Sequence, residues 1–379
     1  MSFDPKFFHE VVVNGHSGPS SFVVPHRYTR LSFLSAGAQG TVVKAYDTVT
    51  QKNVAIKKVH NPFITPMNAK RTYREFVLLA TMHHVNLIQL DFAFTPQKSL
   101  ETFEEIYLVM ELMDYNLYQL IRIMKINHTN LSFFTYQMVV AMNYMHRSGI
   151  IHRDLKPSNI VVSQNCVLKI LDYGLARKIE TNERMSMYVV TRHYRAPEVI
   201  LGLPYTEKVD VWSIGCILAE MVTGKILFPG SDRFNQWIKI IELLGTPNKE
   251  FIERLDRHAR MFVESKGSMP AKKMEELFPD SLFTEERPEV PALNAANARD
   301  LLCKMLQIDP DNRISIAEAV QHPYISMWFR TDEWDTPLPE NRYDPNTDLV
   351  DKPINEWKEM LYKEVRQFEV THPIFQSAV

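Results

Sequence analysis

Between the strand-like runs Tyr28 to Leu34 and Thr41 to Tyr46 lies a tight segment, Ser35-Ala36-Gly37-Ala38-Gln39-Gly40, and Lys57 follows on the next strand in Val54-Ala55-Ile56-Lys57. On its own the glycine segment reads as a hairpin turn, because turns between strands often contain glycine. With Lys57 behind it, the chemistry on offer is phosphate binding. The backbone would form a flap over the phosphates of a nucleotide, and the ammonium beneath would neutralise their charge. A strand lysine otherwise points to solvent or snorkels. Held under a flap, it needs an anionic partner, and Glu75 on the following helix is the candidate. Its neighbours Arg71 and Arg74 mark that face as polar, and taken alone Glu75 reads as a solvated surface carboxylate.

Further along, His152-Arg153-Asp154-Leu155-Lys156-Pro157-Ser158-Asn159 follows a helix stop at Gly149 and precedes the strand-like Ile160-Val161-Val162. After one more strand, Leu168 to Leu171, comes Asp172-Tyr173-Gly174, and Ala196-Pro197-Glu198 lies beyond. Taken alone, Asp154 and Asp172 read as loop-capping aspartates. Glycine loop, strand lysine, helix glutamate, catalytic loop, metal-binding aspartate and Ala-Pro-Glu in this chain order resemble the eukaryotic protein kinases. The resemblance runs from about Tyr28 to Met327.

The resemblance implies an α+β, bilobal kinase fold: a small five-stranded antiparallel β lobe with one key helix, and a larger, mainly α-helical lobe. It implies ATP and Mg2+ as cofactors. Phosphoryl transfer spreads negative charge over the moving group, so the site needs cations and alignment more than covalent chemistry. By motif position, Asn159 and Asp172 would hold the metal ions. Lys57, tethered by Glu75, would grip the inner phosphates. Asp154 would accept the hydroxyl proton, and Lys156 would stabilise charge near the transferred group. The nucleotide site would comprise Leu34, Ser35, Ala36, Gly37, Ala38, Gln39 and Gly40 of the flap. Val42, Ala55 and Leu171 would be apolar walls, and Met110 would sit at the back. Glu111 and Met113 lie in the linker, and Asn116 or Ser158 near the ribose. For Met110 and Val42, core filling remains the alternative.

Between Gly174 and Ala196, Ser186 and Tyr188 stand two apart, so in an extended segment both project to one side. Arg74, Arg153 and Arg177 could receive a phosphate on Ser186, and Arg192 and Arg195 one on Tyr188. Each phosphate adds about −1.5 to −2 charge and can order a loop through bidentate arginine contacts. This lip is similar to that of MAP kinases, and the stretches GAQG, VAIKK, VMELMD, VVTRHYRAPEVILG and QHPYI are most similar to the JNK subgroup. The resemblance implies a serine/threonine kinase directed to sites followed by proline. Activation would come from an upstream dual-specificity MAP kinase kinase acting on Ser186 and Tyr188. Expected partners are protein substrates such as transcription factors, and scaffold proteins and phosphatases on a docking groove that includes Asp332, Glu333 and Asp335. Three departures stand out: Ser-x-Tyr in the lip, Ser35 for the first loop glycine, and Tyr173 where phenylalanine is usual. A buried Tyr173 needs a hydroxyl partner.

The elements that must position these residues divide the chain into four stretches. Residues 1–24, rich in Gly, Ser and Pro, read as a flexible lead-in. Residues 25–112 form the small lobe, with Thr65 as N-cap and Pro66 as first residue of its helix. Residues 113–327 form the large lobe, with an insert from about 228 to 291. Residues 328–379 form an extension. Its stretch from Asp332 to Lys352 carries seven acidic and two basic residues. A return helix from about Ile354 to Glu369 follows, with Trp357, Leu361, Val365 and Phe368 on one face. Asp210 is expected to brace the catalytic loop and Glu198 to pair with Arg313.

The length of 379 residues fits two domains or three. A formal net charge of −2 is too neutral for a general phosphate-backbone binder, so no nucleic acid is expected as main ligand. Three cysteines without a Cys-x-x-Cys pair fit a reducing compartment. The N-terminus lacks a signal-peptide pattern, and no apolar run is long enough for a membrane span. The two Asn-x-Ser/Thr matches near Asn127 and Asn130 read as chance. A monomer in cytoplasm and nucleus is the expectation. The rival class is a catalytically weak kinase-like scaffold, supported only by Ser35 and Tyr173. A cyclin-dependent kinase is disfavoured by the lip, the return helix and the absence of a PSTAIRE-type helix.

Overall fold

The structure, a computed structural model, describes residues 3–15, 18–37, 39–178, 192–284, 289–340, 343–344, 346–347 and 350–375. The chain forms two compact units, one of residues 1–83, 88–113 and 339–379, the other of 84–87 and 114–338.

The first unit is built on an antiparallel sheet of five strands. These are β3 (Tyr28–Gly37), β4 (Gly40–Asp47), β5 (Lys52–Val59), β6 (Leu90–Phe94) and β7 (Tyr107–Glu111), in the order β3-β4-β5-β7-β6. Leu87 lies outside this sheet and makes an isolated parallel bridge to Ile170 within the second unit. The 1–24 stretch is not the flexible lead-in expected from its composition. Strands β1 (Phe8–Gly15) and β2 (Gly18–Pro25) pair as an antiparallel hairpin. Phe8, Phe22 and Val24 are buried in one cluster with Tyr28, Ile56, Phe94 and Tyr107. The apolar residues of β1 and β2 outweigh the glycines and serines around them, because burying a phenylalanine contributes about 1.5–3 kcal/mol.

The helix α1 (Pro66–Thr81) starts as its sequence dictates. The Thr65 side chain accepts the Asn68 N–H, and Pro66 occupies the first turn, where its missing N–H costs nothing. The C-terminal helix (Ile354–Thr371) belongs to this same unit and buries Trp357, Leu361, Val365 and Phe368. The Trp357 ring lies 5.6 Å from Tyr73, and Phe368 meets Phe76 edge-on at 5.9 Å, so it packs on α1.

The second unit is mainly helical. A two-residue strand β8 (Tyr115–Asn116) leads into α2 (Leu117–Ile123), which Asn116 caps with a reciprocal Gln119 bond. The long helix α3 (His128–Arg147) is buried along most of its length, and Gly149, in the left-handed conformation at φ +80°, turns the chain out of it. Four short strands follow: β9 (Ile150–Ile151), β10 (Ile160–Val162), β11 (Leu168–Ile170) and β12 (Arg177–Lys178). They pair as β11-β10-β8 and β12-β9 and so fix both ends of the loops that carry Asp154 and Asp172. Helices α4 (Pro197–Leu201) and α5 (Lys208–Thr223) come next, and α5 is the buried centre of the unit. Among the described residues of the 228–291 insert, helices run over Arg233–Leu244, Lys249–Glu253, Arg257–Glu264 and Met274–Leu277.

Candidate active site

In the first unit the glycine segment is the turn between β3 and β4, with Ser35 opposite Val42, Ala36 opposite Thr41 and Gly37 opposite Gly40. A register shift between Phe33 and Ser35 accompanies an exposed Leu34. Ala38 lies outside the described residues. Gly40 is required by packing: a Cβ there would stand 2.4 Å from the Lys58 carbonyl oxygen. Lys57 pairs across the sheet with Val42 on β4 and Leu108 on β7, and Ala55 with Met110. Cross-strand partners share a face, and so do residues two apart. Val42, Ala55, Lys57 and Met110 therefore line one face of the sheet. Glu111 closes β7, and Met113 is half-buried just beyond it.

The Lys57 ammonium lies 2.5 Å from the Glu75 carboxylate and 3.4 Å from the Gln39 side-chain oxygen. Glu75 and Arg74 are both buried, so Glu75 is not the solvated surface carboxylate that it reads as when taken alone. Helix α1 presents Glu75 inward, where a carboxylate is stable only with a cationic partner.

In the second unit the loop that carries Asp154 hangs from Asp210 at the start of α5. This carboxylate is wholly buried and accepts the backbone N–H groups of His152 and Arg153, each at 2.9 Å, and the His146 ring N–H at 2.8 Å. Burial alone would push its pKa up. The His146 hydrogen bond and charge, with His152 and the Arg153 N–H, outweigh burial and hold it below the usual range. The bonds hold Arg153 at φ +67°, a left-handed conformation that a residue with a Cβ adopts only when its surroundings impose it.

One residue on, Asp154 faces the Lys156 ammonium at 2.6 Å, and the Asn159 amide donates to its carbonyl at 3.1 Å and its carboxylate at 3.2 Å. Burial raises the Asp154 pKa most, Lys156 opposes it, and the charge of Asp172 adds to the rise. Asp172 is itself left-handed at φ +65° and accepts the Gly174 N–H at 3.2 Å. Leu171 donates its N–H to the Asn159 carbonyl at 2.8 Å and accepts from the His152 ring at 3.1 Å. One backbone bond thus couples the residue before Asp172 to Asn159. Because the Asn159 amide nitrogen is turned to Asp154, its side-chain oxygen is the group presented elsewhere. An amide oxygen and a carboxylate are hard oxygen donors of the kind that suit Mg2+.

Residues 28–325 match the family described as protein kinase domain. The chain is 53% identical over 379 aligned residues to GLH-binding kinase 1 of Caenorhabditis elegans, covering 98% of this chain and 97% of that protein. It is 51% identical over 352 residues to the stress-activated protein kinase JNK of Drosophila melanogaster, covering 93% and 94%. The chain belongs to the protein kinases, among the JNK-like MAP kinases. Kinases of this family use ATP and Mg2+.

The remaining expected residues of this MAP kinase fall as follows. Tyr173 is fully buried, with its hydroxyl 3.4 Å from the Ile170 carbonyl and its ring edge-on to His152. Asn116 caps α2, and Ser158 is exposed on the turn before β10. Ser186 and Tyr188 lie outside the described residues. Arg153 donates to the Leu175 carbonyl at 2.8 Å and to the Tyr205 hydroxyl at 2.5 Å. Arg192 donates to the Ser231 carbonyl, and Arg177 sits on β12 opposite Ile151. Arg195 is half-buried within the field of Asp154; burial lowers its pKa and the Asp154 charge opposes this. Glu198 and Arg313 form a fully buried bidentate pair at 2.7 and 2.9 Å. The acidic trio is not uniform. Asp332 pairs with Arg330 at 3.0 Å and Asp335 is exposed, whereas Glu333 accepts the Tyr136 hydroxyl at 2.8 Å.

Sequence reasoning missed His146 and Tyr205, which hold Asp210 and Arg153. Tyr205 stands far from the motif in sequence, whereas His146, the penultimate residue of α3, lies just before it, and only the fold turns its ring to Asp210.

Proposed function

We propose that this kinase transfers the γ-phosphoryl group of ATP to serine or threonine followed by proline, after activation by phosphorylation of Ser186 and Tyr188. Bound Mg-ATP supplies the phosphoryl group, and its metal ions neutralise the charge that spreads in the transition state. Lys57, fixed by Glu75, grips the inner phosphates. Asn159 and Asp172 would hold the magnesium ions. Asp154 orients the acceptor hydroxyl and takes its proton, and Lys156 lies beside it as a counter-charge. The observation that carries this reading is the Asp154–Lys156–Asn159 cluster on a loop held by a buried Asp210. That support costs buried desolvation and left-handed backbone, features that concentrate at working sites.

Ser186 and Tyr188 accept phosphate from an upstream dual-specificity kinase, and Arg74, Arg153, Arg177, Arg192 and Arg195 receive those phosphates. The flap residues Leu34 to Gly40, with Val42, Ala55, Met110, Glu111, Met113, Asn116, Ser158 and Leu171, bind the nucleotide. Asp332 and Asp335 form the acidic end of a docking groove for basic segments of substrates, scaffolds and phosphatases, while Glu333 serves mainly as a structural anchor. The protein works as a monomer in cytoplasm and nucleus; among the described residues no helix is long and apolar enough to cross a membrane. The scaffold alternative gains nothing from Tyr173, whose hydroxyl has a backbone acceptor.

Phosphopeptide mapping of the lip, paired with a kinase assay on matched Ser-Pro and Ser-Ala peptides, tests the proposal. Doubly phosphorylated protein should prefer the Ser-Pro peptide by at least tenfold in kcat/KM. Equal rates would remove proline direction, and full activity without lip phosphate would remove the activation step.

A further inference from the structure

The end of the glycine segment, where it enters β4, is tied down by a residue outside every motif. His60 lies just past the end of β5. Its backbone N–H donates to the Gln39 carbonyl at 3.1 Å, which extends the β4–β5 ladder one step into the turn. Its ring Nε2 is hydrogen-bonded to the Thr41 hydroxyl at 2.8 Å. Thr41 is buried, so its hydroxyl depends on a protein partner. The same limb is gripped once more, by the Lys57 ammonium 3.4 Å from the Gln39 side-chain oxygen.

Register separates these contacts. Thr41 lies opposite Lys58 and Val42 opposite Lys57, so Thr41 and His60 stand on the face of the sheet away from Lys57. His60 therefore acts on the turn without facing the groups proposed to bind nucleotide. Burial lowers its pKa, and the charges of Lys58 and Lys57 lower it further. Those two lysines are themselves paired, Lys57 with Glu75 and Lys58 with Glu105.

We propose that the Thr41–His60 pair is a positioning clamp for the Gln39–Thr41 limb, which sets how tightly this kinase binds ATP without entering the chemistry. The proposal rests on the ATP-binding reading of the flap. A buried hydrogen bond of this kind corresponds to about a threefold to tenfold change in an equilibrium constant.

The test uses the full chain with Thr41→Val, His60→Leu, the double variant and the conservative His60→Gln. Hydrogen exchange of the nucleotide-free protein, followed over peptides covering Gln39 to Val43, comes first. Exchange should quicken about equally in both single variants and the double, and return towards wild type in H60Q. In steady-state assays KM for ATP should rise about threefold to tenfold, with kcat within twofold and peptide KM unchanged. The double variant should be no worse than either single. Unchanged exchange, additive single effects, or a loss confined to kcat would overturn the clamp. If the wild type binds no ATP in a direct fluorescence titration, the ATP-binding reading fails first and the clamp's functional role with it, whatever the exchange shows. Should H60L melt at low temperature, H60Q and T41V carry the same comparison.

Discussion

Replacing Asp210 by asparagine isolates what holds the catalytic loop. The two carboxylate oxygens receive three donors: the N–H groups of His152 and Arg153 and the His146 ring. Asparagine keeps one acceptor oxygen and turns an NH2 towards whatever faced the other. In either orientation one loop N–H loses its acceptor in a fully buried setting. An unsatisfied buried donor costs about 1–3 kcal/mol. At about 2 kcal/mol, spent entirely on misorienting the adjacent Asp154, the rate falls about thirtyfold, since about 1.4 kcal/mol is tenfold. The expected result for D210N is a kcat on a Ser-Pro peptide reduced about thirtyfold, with KM for ATP within twofold because Lys57 and Glu75 are untouched. The melting midpoint should fall by about 4–8 °C. A lower midpoint with normal kcat would mean that Asp210 stabilises the fold but does not orient the loop. An unchanged enzyme by both measures would refute the reasoning outright.

Three further outcomes follow from the same contacts. Burial raises the Asp154 pKa and Lys156 lowers it, so in Lys156→Met the acid limb of the kcat/KM profile should move to higher pH and kcat should fall about tenfold or more; a stationary limb would separate the two groups. Breaking the buried Glu198–Arg313 pair with E198Q or R313M should cost about 3–5 kcal/mol, or roughly 10 °C in the melting midpoint, and the double variant E198Q/R313M should lose less than the sum of the singles by calorimetry. Asp335→Lys should raise KM several-fold for a substrate with a basic docking segment and leave a short peptide lacking it unchanged, whereas Glu333→Gln should act mainly on stability through Tyr136; equal losses on both substrates would remove the docking reading.

Much of this was legible from the residues themselves. The five strands of the first unit, the Thr65 cap, α3 with its Gly149 exit and the C-terminal helix all carry local signals, because period, cap and turn chemistry act within a few residues. The motif residues announced themselves through chain order, which no single segment could supply. What stayed hidden depends on partners distant in sequence. The β1–β2 hairpin is concealed by glycine and serine composition, and only the core it joins explains why Phe22 and Val24 are ordered. Glu75, by contrast, reads as solvated only when taken alone; chain order already paired it with Lys57, which lies 2.5 Å away. Glu333 looks like its acidic neighbours until Tyr136, 197 positions earlier, takes it as acceptor.

The central claim is that Asp154 and Asp172, with Lys57, perform phosphoryl transfer. Radiolabelled phosphate transfer to a Ser-Pro peptide by lip-phosphorylated protein, compared with equally phosphorylated Asp154→Ala, measures it most directly. The account predicts that the variant loses at least a thousandfold in kcat while still binding ATP in a fluorescence titration. Equal transfer by the two proteins, or none by either, would contradict it.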